Sequence, residues 1–290
     1  MTKIIYNISE IIDSYDTFIL DQWGVMHDGK KGYECAIKSI NTLIKKNKKL
    51  IIISNSSRRK INSVNKLKDL GFNKNHFVEV MTSGEMIWQE LFCAIDSYGK
   101  GLKNCFHIYN SSKEDGLDFR MGLNKFNFVS NISEANFILA CTPFEKTEPI
   151  DYIPMLKKAL DLNLIMFCAN PDYVTIEKNN SSNVFCMGTI ADLYINMGGH
   201  VKILGKPNKE IYIESTRKIS KLNLSRTIAI GDSLDHDILG ANNFEIDSVL
   251  ISSGIHKELF KEGLQIGLSN IEKSNKWESK PTFLCSNFST

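Results

Sequence analysis

Short continuous apolar runs punctuate this chain, and four of them stop abruptly at polar residues. The run Thr17–Leu20 ends at Asp21, Leu50–Ile53 at Ser54 and Asn55, Val201–Leu204 at Gly205 and Lys206, and Thr227–Ile230 at Gly231 and Asp232. Runs of this length, rich in β-branched residues, predict strands buried on both faces. Between them the apolar spacing turns helical, over 35–46, 58–70 and 208–221, with Pro207 placed to open the last helix. Strands alternating with helices predict an α/β fold, a Rossmann-like doubly wound parallel sheet. Ligands bind beyond the carboxyl ends of the strands in such sheets, so all four polar termini are expected on one rim.

The stretch between the second and third runs is too long for a simple crossover and carries its own alternation. Runs at 105–109, 136–141, 163–168 and 183–186 predict strands, and patterns at 84–97, 151–161 and 189–197 predict helices. The expected organisation is a core of 1–82 and 198–290, with a second α/β unit, 83–197, inserted into it. The tail from Lys273 is polar with scattered aromatics, Trp277, Phe283 and Phe288, and is expected to pack on the core.

Composition narrows the ligand. A net charge of +2, with acidic and basic residues intermixed, leaves no basic stripe for nucleic acid and favours a small molecule. Seven scattered cysteines without a CxxC point to reduced thiols in a cytoplasmic protein, not to disulfides or a zinc site. The early acidic residues Glu10, Asp13 and Asp16 do not suit a secretory signal, and no apolar run approaches a membrane span.

The rim would gather the Asp21 carboxylate, the Ser54 hydroxyl, the Asn55 amide, the Lys206 ammonium and the carboxylates of Asp232, Asp235 and Asp237. An ammonium with hydroxyl and amide donors suits a phosphoryl group. Carboxylates alone would repel it unless a hard cation such as Mg²⁺ lies between them. The combination points to phosphoryl transfer with an acidic nucleophile. Taken singly the features are weak: a strand-end aspartate usually serves a turn, and GDxxxxD opens many capped helices. Their recurrence at four strand ends carries the reading. A P-loop is excluded, since five residues separate Gly199 from Gly205 and Pro207 fills the Ser/Thr position.

These residues resemble the haloacid dehalogenase-like hydrolases, specifically class IIA, the nitrophenylphosphatase and phosphoglycolate-phosphatase type. Asp21 to Val25 resembles that family's first motif, Ser54 to Ser57 the second, Gly205 to Pro207 the third and Gly231 to Ile238 the fourth. Cys168 to Asp172 is similar to the segment of its cap, and the resemblance runs over nearly the whole chain. It implies a C2-type cap that closes over the rim, excluding water and carrying selectivity. It further implies that Asp21 attacks phosphorus and that Mg²⁺ is held by Asp21, Asp232 and the backbone carbonyl of Trp23, with Asp237 in the outer shell. Ser54, Asn55 and Lys206 would hold the phosphoryl oxygens of a small phosphorylated metabolite. A homodimer is left open. Asn170 and Asp172 either point back at the core site or form a plain turn, as Asn-Pro does elsewhere.

One position departs from the family. Most of its phosphatases carry an aspartate at residue 23, which protonates the leaving alkoxide. If the strand period continues past Asp21, the Trp23 indole points into the site. An indole N–H donates a hydrogen bond but cannot shuttle a proton. Three readings follow: a phosphatase whose acid is supplied elsewhere or whose substrates leave without one, a reaction that needs none, as in the family's dehalogenases, or a phospho-ligand binder. His27, beside Asp28 in a glycine-flanked loop, is the candidate substitute; an exposed loop histidine is the plainer reading.

Overall fold

The computed structural model describes residues 2–93, 102–112, 115–176, 183–274 and 276–290. They form two compact units. One comprises Met1–Ser54, Ser63–Met81 and Lys206–Thr290, the other Asn55–Asn62 and Thr82–Gly205.

The first unit is built on a seven-stranded sheet in the order Lys3–Ile4, Phe283–Cys285, Asp247–Ile251, Thr227–Gly231, Thr17–Leu20, Lys49–Ser54, Phe77–Thr82. The first six strands pair in parallel. Thr17–Leu20 and Thr227–Gly231 lie at its centre and are buried at every position, which is why they read as unbroken apolar runs. Helix Glu34–Lys45 covers the sheet with Ala36, Ile40 and Leu43, spaced for one helical face. Lys60–Asp69 supplies Leu67 to the same core. The tail packs on this core as expected, with Phe283–Cys285 as a strand of the sheet and Phe288 buried.

The predicted helix at 208–221 is shorter, Lys209–Thr216, with Asn208 at its N-cap and Pro207 outside it. The hydroxyls of Ser215 and Thr216 donate to the Tyr212 carbonyl at 3.0 and 2.8 Å, competing with the helical ladder where it ends.

The second unit has a five-stranded parallel sheet in the order His200–Ile203, Ile165–Cys168, Phe137–Ala140, Asn104–Ile108, Asn127–Val129. Helices Ser83–Cys93, Ile153–Asp161 and Met187–Asn196 belong to it; residues 94–97 of the predicted 84–97 helix lie outside the described residues. Two expectations need correction. The run at 201–204 is not a strand of the core sheet: Val201 sits opposite Met166 and Ile203 opposite Cys168. As an edge strand it is half-buried, and the second unit accordingly runs to Gly205 where 197 was expected. The run at 183–186 is also outside the parallel sheets, since Asn183–Phe185 pairs antiparallel with Val174–Ile176 in a separate ribbon. Among the described residues no helix is long and apolar enough to cross a membrane.

Candidate active site

Strand register assembles the first unit's polar groups. Leu20 lies opposite both Ile52 and Ile230, so Asp21 leaves its strand level with Gly231, and its amide donates to the Ile230 carbonyl at 2.9 Å. Ser54 ends the strand on one side and Asp232 follows the strand on the other. Lys206 reaches this rim as a side chain only 3% exposed. Its ammonium donates to Asp21 Oδ1 at 2.6 Å and to Asp237 Oδ1 at 2.7 Å.

The fourth motif folds to serve the same point. Its residues Leu234–Ile238 form a π-helical turn capped by Ser233, a wide turn of the kind often found at functional sites. The turn brings Asp237 back beneath its own start, where Oδ2 accepts the amides of Asp232 and Ser233, both at 3.1 Å. Gly231 makes the approach feasible, because a Cβ there would lie 2.1 Å from Asp237 Cγ. Asp232 is cradled likewise: Oδ2 accepts the Ile255 amide at 2.8 Å. A Cβ on either Gly24 or Gly254 would fall 2.0 Å from that oxygen. Gly24 also has φ of 74°, so glycine is required there twice over.

Oxygens of Asp21, Asp232 and Asp237 lie within 4.8 Å of one another. Asp235, expected in this cluster, is outside that group and half-buried. Three buried carboxylates face one ammonium, a surplus of negative charge. Burial, and then the charges of Asp21 and Asp237, push the Asp232 carboxyl well above the ordinary carboxylate range. An all-oxygen donor set with excess negative charge fits a hard divalent cation such as Mg²⁺.

Around Trp23 the strand period on which its aim was judged does not hold. The strand stops at Leu20, and the Gln22 carbonyl accepts the amides of Met26 and His27 at 2.8 and 3.2 Å. The chain therefore hooks at this point, and the strand's side-chain alternation does not extend to residue 23. The indole instead rests over Gly29, where a Cβ would come 2.2 Å from its ring, and meets the His27 ring edge-on at 5.3 Å. Trp23 is 39% exposed. His27 is not the exposed loop histidine of the plainer reading, being only 3% exposed. Its Nδ1 accepts the Gly29 amide at 3.0 Å, which leaves the neutral ring protonated at Nε2. Asp28 closes the turn by accepting the amides of Lys30 and Lys31.

The remaining candidates fall in the second unit. Asn55 donates from Nδ2 to Asp172 Oδ1 at 2.8 Å, so these two are brought together. Asn170 accepts the Asp172 amide on its side-chain oxygen at 3.2 Å, the turn reading of this segment. Ser83 escaped the sequence reading. Its hydroxyl is buried with no partner among the described residues, and a Cβ on Gly205 would lie 2.6 Å from both it and Asn55 Oδ1. No local pattern marks such a serine; only the glycine before Lys206 hints that something approaches closely.

A Rossmann-like core with an inserted cap and an aspartate–lysine cluster at its strand ends describes a class of α/β hydrolases. Two family models identify it further: haloacid dehalogenase-like hydrolase matches residues 18–100, and HAD-hydrolase-like matches 203–290. The chain belongs to the haloacid dehalogenase-like hydrolases. It is similar to the 4-nitrophenylphosphatase of Schizosaccharomyces pombe, 26% identical over 274 residues covering 86% of this chain and 87% of the relative. Among solved structures it resembles a haloacid dehalogenase-like family hydrolase from Brucella suis 1330, with TM-score 0.81 and 25% identity over 98% of this chain and 99% of the other. A p-nitrophenyl phosphatase from Archaeoglobus fulgidus shares the fold, with TM-score 0.67 and 18% identity over 95% and 97% of the two chains.

Proposed function

We propose that the protein is a Mg²⁺-dependent phosphatase that hydrolyses a small phosphorylated metabolite through an aspartyl phosphate, an acyl phosphate formed on Asp21. The observation that carries this reading is the Lys206 ammonium clamped between Asp21 and Asp237 beside Asp232. In this reading an Asp21 oxygen attacks phosphorus and the substrate's ester oxygen departs. Water then cleaves the aspartyl phosphate, freeing inorganic phosphate and the carboxylate. Lys206 orients Asp21 and offsets charge on the phosphoryl oxygens, Asp237 positions Lys206, and Ser54 donates to those oxygens. Asp172 fixes the Asn55 amide, and Asn170 shapes the turn that presents Asp172. Asp21, Asp232 and the Trp23 carbonyl would hold Mg²⁺, which when bound neutralises charge gathering on the phosphoryl group.

The missing acid sets the substrate range. Trp23 supplies no proton, so the favoured substrates are those whose leaving oxygen is weakly basic, as in the aryl ester that names the yeast relative. The test is phosphate release from a panel of aryl, acyl, alkyl and sugar phosphates, with Mg²⁺ and with EDTA. Activity should require the metal and vanish in Asp21→Asn, and brief acid quenching should trap phosphate on Asp21 in the wild type. Phosphonate binding with no turnover of any ester would make the protein a binder, and halide release from halo-acids a dehalogenase.

A further inference from the structure

We infer that Trp23 is a stacking platform, and that the leaving group of the substrate is a planar aromatic or heteroaromatic alcohol. The inference rests on the phosphatase reading above and names the substrate class for it. Gln22, Val25, Met26 and His27 are all buried, while the indole between them stands 39% exposed. That exposure is not slackness of the loop. The His27 ring abuts the indole edge-on, Gly29 at φ of 87° forms its floor, and the Gly29 amide locks His27 in turn. The loop is pinned at its far end by the amides of Gly32 and Tyr33, which donate to Leu70 and Met26 at 3.0 and 2.8 Å. A ring held this way is ordered when the protein folds, so a ligand that covers it loses little further freedom.

Position gives the platform its role. Two residues span at most about 7 Å of backbone, which keeps Trp23 in the same short turn as Asp21, next to any phosphoester that Asp21 engages. An indole face offers dispersion and quadrupole attraction to a flat π-system. Against a polyol it would strip water from hydroxyls without replacing their hydrogen bonds. An aryl or heteroaryl oxygen is also the leaving group that departs without a proton. One side chain thus both withholds the acid and selects the esters that can do without it.

The test compares binding of phenylphosphonate and methylphosphonate in Mg²⁺ by calorimetry, because neither can be hydrolysed and leaving-group chemistry drops out. Wild type should bind phenylphosphonate tighter by about 5- to 150-fold, the span that base–aromatic stacking gives. Trp23→Leu, apolar but without a π face, should lose most of that preference, and Trp23→Phe should keep much of it. Equal affinities in wild type, or an undiminished preference in Trp23→Leu, overturn the inference while leaving the phosphatase reading intact. If neither phosphonate binds and no phosphate ester is hydrolysed, the phosphatase reading fails and takes this inference with it.

Discussion

Lys206 places its ammonium against two carboxylates of the cluster, and replacing it with methionine isolates what that charge does. The ammonium lies 2.6 Å from Asp21 and 2.7 Å from Asp237, with both contacts buried. At an effective dielectric near 20, each contact corresponds to roughly 6 kcal/mol of Coulomb attraction, most of it offset by the desolvation of the ions. Removing one partner of such a buried arrangement costs about 3–5 kcal/mol, because carboxylates are left facing one another uncompensated. Methionine fills nearly the same volume, so the cavity contribution is small. Proton uptake by Asp232, already favoured by burial and its two acidic neighbours, relieves part of the strain and sets the loss near about 3 kcal/mol. In EDTA the variant should therefore melt roughly 6–12 °C below wild type. Mg²⁺ replaces the missing positive charge and should stabilise the variant more than it stabilises wild type. Thermal and urea denaturation with and without Mg²⁺ measure both effects. A Lys206→Met protein as stable as wild type in EDTA would show that the ammonium does not neutralise this cluster.

Trp23→Asp restores a carboxyl group where an acid would act, and an absent general acid costs roughly 10²–10⁴ in rate. The ratio of kcat/KM for an alkyl phosphate to that for nitrophenyl phosphate should rise in the variant; an unchanged ratio refutes the assignment, and loss of alkyl turnover in His27→Ala would identify His27 as the substitute acid. In the second unit, burial and then the Arg120 charge depress the His107 pKa to about 3, and Arg120 Nε donates to its Nδ1 at 3.1 Å. The unfolded histidine takes a proton below about pH 6.5 while the folded one does not, so His107 leaves stability untouched above that pH and erodes it as pH falls towards 3, by about 2 kcal/mol at pH 5. Urea midpoints at pH 7 and pH 5 should diverge less in His107→Gln than in wild type, and parallel losses would argue against it.

What the sequence disclosed about the fold follows from how locally each element is determined. Thr17–Leu20 and Thr227–Gly231 are buried on both faces, and that environment writes itself as an uninterrupted apolar run. His200–Ile203 carries a similar run, yet its place in a sheet depends on pairing with Ile165–Cys168, which no pattern within the run encodes. Lys3–Ile4, Phe283–Cys285 and Asn127–Val129 are too short to show any period, and pairing with neighbouring strands makes them strands. The early end of Lys209–Thr216 was written in Ser215 and Thr216, whose hydroxyls find the carbonyl one turn back.

The site divides along the same line. Asp21 and Asp232 were legible because charged groups at the carboxyl ends of neighbouring strands have to meet, whereas Lys206 joins them although the strand before it belongs to the other sheet. The partners that hold them act through backbone or through the absence of a side chain, as do the Ile255 amide, Gly24 and Gly254 around Asp232. Trp23 was legible as a residue but not as a direction, since the strand period on which its aim was judged ends at Leu20. The structure adds that residue 23 does not act alone. Its indole needs the bare Cα of Gly29, and Gly29 in turn supplies the amide that fixes His27 against the ring. A site that had merely lost its acid would have no need of a floor and a buttress for the side chain that replaced it. Three coordinated positions around an exposed ring, beside the cluster of Asp21, Lys206, Asp232 and Asp237, favour the proposed active site with a different leaving group over a retired one.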